Sequence, residues 1–270
     1  MKTILEINNL RKNFADFTAV NGISLKAEAG EIFGFLGPNG AGKTTTIKIL
    51  AGLLQPDSGS VTINGNSLAE QPLLCKQDTG YVPDRPWLFE KLTGGEYLKF
   101  VASLYTLPEE RFNAAAPKYL EMFDLSKWQD HLIESYSHGM RQKLIMTSVF
   151  MLDQPLLIID EPMVGLDPKS ARIVKDLFKK KAAEGRTIFL STHSLEIAEE
   201  LCHRIAIITN GTLHVSGTVE DLRKEAGKEE QDIDLEEIFL ELTGAWEMRQ
   251  VIAALKEKRD RVMRKARFGI

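Results

Sequence analysis

The residues Gly37-Pro38-Asn39-Gly40-Ala41-Gly42-Lys43-Thr44-Thr45 follow the pattern G-x-x-x-x-G-K-[ST]. Glycines let the backbone curl so that successive N–H groups aim at one anion. A helix that follows adds the positive end of its dipole. Lys43 can then reach outer phosphates, and the Thr44 hydroxyl can ligate Mg²⁺. Two carboxylates, Asp160 and Glu161, close the apolar run Pro155–Ile159. A carboxylate at such a strand end can hold Mg²⁺, directly or through water, opposite Thr44. The next one points elsewhere and can polarise an attacking water. Adjacent carboxylates repel, which tends to raise the pKa of one and suits a base. His193 ends the run Thr187–Thr192. Ser137-His138-Gly139-Met140 offers a second anion site, with Ser137 as the N-cap of a helix over 140–151 and glycine amides beside it. Two anion sites leave two options: one chain binds two anions, or two chains share one nucleotide.

These residues need a frame. Glu31–Leu36 predicts a strand into the glycine loop, and 44–54 predicts a helix out of it. Continuous apolar strands at 155–159 and 187–192, separated by a helix over 169–183, predict an α/β sheet covered on both faces. Ligands of such sheets bind at the carboxyl ends of the strands. Gly37, Asp160, Glu161 and His193 all lie near such ends, so one site is expected. Upstream, 4–7, 18–20, 23–27 and 32–36 read as strands, with breaks at Asn8-Asn9, Asn21-Gly22 and Ala29-Gly30. Asn64-Gly65 marks a hairpin. Phe14 and Phe17 fall in the first loop, where a ring can stack on a purine or serve as a core or turn residue. From about Leu92 to Met122, Tyr97, Phe100, Val101 and Leu104 recur at helical spacing, as do Tyr119, Leu120 and Phe123, predicting an inserted helical subdomain.

Bulk properties narrow the class. The chain has 270 residues, 43% of them hydrophobic, enough for one or two packed domains. A net charge of −4 carries no bias toward nucleic acid. Cys75 and Cys202 form neither a disulfide framework nor a metal motif, which points to a reducing compartment. No apolar run reaches the roughly 18 residues a spanning helix needs. The tail is polarised. Residues 220–242 hold ten acidic and three basic residues, and 245–270 hold eight basic and three acidic. Met248, Ile252, Leu255, Arg259, Val262 and Ala266 share one helical face. A basic helix over 246–270 is expected to dock on its own domain, pair with another copy or touch anionic lipid.

The phosphate loop, Ser137–Met140, Leu156–Glu161, Gly165-Leu166-Asp167 and Ser191-Thr192-His193, in this order and spacing, resemble the ATP-binding subunit of ABC transporters. The resemblance spans residues 4 to about 245. It implies a P-loop NTPase core with a mixed or parallel sheet, an N-terminal antiparallel β subdomain and a helical subdomain inserted at about 85–150. It implies an ATPase using ATP and Mg²⁺. By position, Phe14 would stack on adenine, and Gly37, Pro38, Asn39, Gly40, Ala41, Gly42, Lys43, Thr44 and Thr45 would grip phosphate. Thr44, Asp84 and Asp160 would face the metal, with Asp84 linking that site to the helical subdomain. Glu161 would be the base, His193 the γ-phosphate switch and Asp167 a dimer contact. Ser137, His138, Gly139 and Met140 would act in trans on a second subunit's ATP. That resolves the two-anion question by a head-to-tail pair, most simply a homodimer, with an integral membrane permease as further partner and no nucleic acid. The implied location is cytoplasmic, peripheral at the inner face of the membrane. Three departures stand out: Asp84 replaces the usual glutamine, His138 the usual first glycine of the signature, and Tyr136 the usual leucine. Glu161 and His193 are both present, against a non-hydrolysing copy. Pro86-Trp87-Leu88-Phe89 either lines the groove for a permease helix or belongs to the helical subdomain's core. The ending Asp234–Gly244 looks like that of stand-alone ABC-2-type exporter ATPases. The rivals are an importer's ATPase and a soluble, non-transport ABC protein.

Overall fold

A computed structural model describes residues 2–226 and 235–243. The expected basic helix over 246–270 lies outside the described residues, so its three options stay open. The chain begins with strands β1 (Thr3–Phe14), β2 (Phe17–Glu28) and β3 (Ile32–Leu36), helix α1 (Lys43–Leu50), β4 (Ser58–Ile63), β5 (Asn66–Ser67), α2 (Pro72–Gln77) and β6 (Thr79–Val82). Helices α3 (Gly94–Leu104), α4 (Glu109–Met122) and α5 (His138–Leu152) follow. Strand β7 (Leu156–Asp160), α6 (Pro168–Ala183), β8 (Thr187–Thr192), α7 (Leu195–Leu201), β9 (Arg204–Thr209), β10 (Thr212–Gly217), α8 (Val219–Glu225) and α9 (Leu235–Thr243) complete it.

Two sheets share the work. An antiparallel sheet runs β2-β1-β4-β5, and a six-stranded sheet runs β10-β9-β3-β8-β7-β6, parallel except for the β9–β10 pair. Every residue of β3, β7 and β8 is buried, as expected for strands covered on both faces. Alternate side chains part company. Ile32, Leu157, Ile159, Ile188 and Leu190 pack with Phe123, Phe150 and Phe178 of the helical side. Phe33, Phe35, Leu156, Ile158 and Phe189 pack with Ile47 and Leu50 of α1 and with Leu5, Ile7 and Ile23 of the antiparallel sheet. Phe33 and Phe189 stack across paired strands, ring centroids 5.6 Å apart.

Several boundaries differ from the sequence expectation. The breaks at Asn8-Asn9 and Asn21-Gly22 are bulges inside two continuous strands. Asn9 (φ 46) and Gly22 (φ 74) take left-handed conformations where the β1–β2 register shifts. Helix α1 stops at Leu50 instead of Leu54, because Gly52 turns left-handed (φ 66). Asn64 (φ 50) and Gly65 (φ 88) form the expected tight hairpin between β4 and β5. In α3, Leu98 and Ala102 carry the burial and Tyr97 and Val101 lean on the core, whereas Phe100 and Leu104 face outward. The helices share one apolar cluster with a face of the main sheet.

One ion-pair network pins the junction below the site. Asp153, left-handed at the C-cap of α5, accepts from Lys181 at 2.5 Å and from Arg186 at 2.6 Å. Burial pushes its carboxyl up, but Arg186 and Lys181 outweigh that and hold it below the usual range. Its contribution is therefore present above the ordinary carboxylate pKa and lost as pH falls through the folded value. Asp153→Ala leaves the buried Lys181 with only the longer 3.8 Å pairing to Glu184. Denaturant unfolding should show a loss of about 3 kcal/mol, and a loss below about 1 kcal/mol would mean the network is ornamental.

Candidate nucleotide site

The loop between β3 and α1 is shaped by close backbone approach. A side chain on Gly37 would run into the Ile208 carbonyl, and one on Gly42 into the Ala19 carbonyl. Gly40 (φ 83) and Gly42 (φ 102) are left-handed, as a curled anion loop requires. Lys43, buried at the start of α1, donates to the Gly37 carbonyl at 2.6 Å and to that of Pro38 at 3.2 Å. Burial lowers its pKa, while Glu161 and Asp160 oppose that shift. A cleft of about 310 Å³ opens over the loop. Pro38, Asn39, Gly40, Gly42, Lys43, Thr44 and Thr45 line one side, with Phe17, Ala19, Asp84 and Glu161 around it.

Asp160 ends β7 and is fully buried. The Ser191 hydroxyl donates to its Oδ1, while Oδ2 has no hydrogen-bond partner. Burial raises its pKa, with Asp84 and Glu161 adding to the rise, while Ser191 and Thr44 hydrogen bonds oppose it. The raised carboxyl is thus that of Asp160, the residue expected at the metal rather than as the base, and desolvation rather than carboxylate repulsion is its main cause. Glu161 follows in a left-handed conformation (φ 50). Its Oε1 lies 2.8 Å from His193 Nδ1, and the Thr192 hydroxyl donates to Oε2 at 3.4 Å. Its backbone N–H donates to the Ser191 carbonyl. So the ends of β3, β7 and β8 bring Lys43, Thr44, Asp160, Glu161 and His193 to one edge of the sheet, as the strand pattern predicts.

Other expected residues sit elsewhere. Phe14 and Phe17 pair at the tip of the β1–β2 hairpin, both exposed. Phe17 lines the cleft; Phe14 carries the Lys12 ammonium 5.6 Å over its ring. Ser137 caps α5, accepting from the Met140 N–H at 3.3 Å. None of Ser137, His138, Gly139 and Met140 lines the cleft. Their neighbour is the loop after Glu161, against Gly165. Asp167 caps α6, accepting from Ser170 N–H at 2.9 Å and pairing with Lys143 at 2.9 Å. Those partners hold its carboxyl far below the usual range. Asp84 lines both the cleft and a second groove of about 740 Å³ between the main sheet and the helices. Sequence reasoning gave no role to Ser191, Thr192 or Lys143; the run Ser191-Thr192-His193 was the available signal for the first two.

A glycine loop opening onto a helix, with a buried carboxylate at the next strand end but one, defines a phosphate-loop nucleotide-binding protein. The ABC transporter family profile matches residues 20–164. The ABC-type transporter ATP-binding protein EcsA of Bacillus subtilis is 33% identical over 241 residues, 89% of this chain and 97% of its own. The linearmycin resistance ATP-binding protein LnrL of the same organism is 37% identical over 224 residues, 83% of this chain and 72% of its own. A solved ATP-binding subunit of an ABC transporter superposes with a TM-score of 0.85 at 35% identity, covering 89% of this chain and 99% of that one. The chain belongs to the ATP-binding subunits of ABC transporters, a family that hydrolyses ATP.

Proposed function

We propose that this chain powers a membrane permease, most simply in export, as half of a head-to-tail ATPase pair. The observation that supports this most is the separation of the signature from the cleft. Lys43 and Glu161 line one cleft with Asp160 close enough to act on Lys43, while Ser137–Met140 present a capped helix start elsewhere on the same chain. A second copy, a homodimer in the simplest case, brings its Ser137 and Gly139 to the first copy's ATP, and the pair encloses two ATP molecules. Closure follows ATP binding and reopening follows hydrolysis.

Within each site, Gly37–Thr45 grip phosphates and an aromatic of the hairpin tip stacks on the base. Phe14 holds that place by resemblance, and Phe17 lies on the cleft wall. Glu161 orients the attacking water and accepts its proton, and His193, hydrogen-bonded to it, reads the γ-phosphate. The site fits Mg²⁺. Asp160 Oδ2 is a buried acceptor without a partner, and the Thr44 hydroxyl faces the same carboxylate. Among the described residues no cluster of three or more His, Cys, Asp or Glu forms a metal cage. Mg²⁺ needs none, since it binds through one or two carboxylates plus nucleotide phosphates. Thr44 and Asp160 would hold it, with Asp84 at the wall, and when bound it would neutralise charge on the β- and γ-phosphates.

The groove that shares Asp84 supports a permease contact. Tyr81, Tyr97, Val101, Ile145 and Leu152 line it, and Trp87 stands at its mouth, 87% exposed. An exposed Trp beside an apolar groove is a typical interface anchor. The chain would sit on the cytoplasmic face of the membrane, consistent with the absence, among the described residues, of any helix long and apolar enough to cross it. Export is supported by the Asp234–Gly244 ending, whose Leu235 and Ile238 pack on α7 and α8, and by the resistance function in a relative's name. Trp87→Ala should weaken permease association by about 2 kcal/mol, roughly 30-fold, with ATP binding intact. Co-purification from membranes with a polytopic partner tests the proposal; sedimentation with ribosomes instead would favour a non-transport role.

A further inference from the structure

The first two residues of α5 rest on the loop that carries Glu161. The His138 ring lies over Gly165: a side chain there would meet His138 Cδ2 at 2.5 Å and Nε2 at 2.9 Å. Gly139 abuts the same residue, since a side chain on it would meet the Gly165 carbonyl at 2.7 Å. Lys143, one turn further along α5, pairs with Asp167 at 2.9 Å, beyond the far end of the loop. The loop is short and internally bonded. Val164 N–H donates to the Glu161 carbonyl at 3.2 Å and Leu166 N–H to that of Met163 at 3.3 Å. Its two left-handed residues are Glu161 (φ 50) and Gly165 (φ 80). A shift of Gly165 therefore has few ways to be absorbed before it reaches Glu161.

We propose that His138 is a positioning residue, a latch that ties the start of α5 to the Glu161 loop and so couples the two ATP sites of the closed pair. This rests on the head-to-tail reading above. In that pair, α5 of one chain meets the partner's nucleotide, while the same chain's Glu161 serves its own. Engagement of the partner's ATP pushes on His138 and Gly139, and both press on Gly165. The turn from Gly165 back to Glu161 then sets the base. The ring does this by packing, so a planar apolar ring replaces it and a small side chain does not. Glycine at 138, the residue usual in related signatures, has no ring to seat on Gly165.

The test is ATP hydrolysis by the full chain as a function of ATP concentration, for the wild type, His138→Ser and His138→Phe. Two coupled sites give a Hill coefficient between about 1 and 2. The wild type is expected near the upper end, the Ser variant near 1, and the Phe variant close to the wild type. Position 138 is solvent-exposed, and a melting curve for each variant verifies its fold. A structural role alone would change the melting temperature and leave the Hill coefficient in place. A wild type without cooperativity, a Ser variant as cooperative as the wild type, or a Phe variant indistinguishable from Ser each overturns the latch. Failure of the pair itself is read separately. If Glu161→Gln does not dimerise with ATP, the head-to-tail reading fails; if it dimerises while the Ser variant keeps full cooperativity, only the latch fails.

Discussion

Glu161→Gln is expected to lower kcat by about 10²–10⁴-fold, the usual contribution of a positioned general base, while ATP binding survives. Gln keeps the length of the side chain and an acceptor oxygen for Thr192, so the left-handed turn at residue 161 persists. What it loses is the carboxylate proposed to take a proton from water, whose Oε1 lies 2.8 Å from His193 Nδ1. The proposed phosphate grip by Lys43 and the glycine loop is untouched, and the protein should retain unhydrolysed ATP. Phosphate release in steady state, set beside nucleotide retained after rapid desalting, measures both halves. Turnover at the wild-type rate would remove Glu161 from the role of base.

Asp160→Asn should separate activity from stability. Asp160 is a fully buried carboxylate with one oxygen unpartnered and its pKa raised, chiefly by burial. Its charged form is costly in the nucleotide-free protein, and the Asn variant removes that charge. Turnover is expected to become undetectable, because the buried negative charge facing Thr44 is lost, while unfolding free energy at neutral pH rises by about 1–3 kcal/mol. The pH dependence has a definite sign. An acid with a raised folded pKa contributes stability that is complete below its ordinary value of 3.8 and is lost as pH rises through the folded value. The wild type should therefore lose stability relative to the Asn variant as pH rises above the ordinary carboxylate range. Parallel melting profiles for the two, with equal turnover, would mean that Asp160 is an ordinary strand-end carboxylate.

The site's main elements were legible because each follows from local chemistry. A glycine loop between a strand and a helix can be read from one stretch, as can a continuous apolar strand closing on Asp160 and Glu161. Burial on both faces, verified for β3, β7 and β8, follows from their unbroken apolar runs. The bulges at Asn9 and Gly22 were not legible, since a left-handed residue inside a strand and one at a strand break share the same sequence signal. Which of Phe14 and Phe17 reaches the cleft wall, and the seating of His138 on Gly165, were hidden for another reason. Both depend on how distant segments meet, and neither periodicity nor motif spacing carries that information. Asp167 shows the limit from the other side. Its place in the motif order suggests an intersubunit contact, while in the single chain it caps α6 and pairs with Lys143.

The separation of Ser137–Met140 from the cleft makes the pair of chains the central claim. Light scattering on Glu161→Gln, with and without ATP and Mg²⁺, tests it most directly. The account predicts that ATP doubles the molar mass, that ADP does not, and that adding Ser137→Arg to the same chain abolishes the doubling. A variant that binds ATP fully and keeps the mass of a single chain would contradict it.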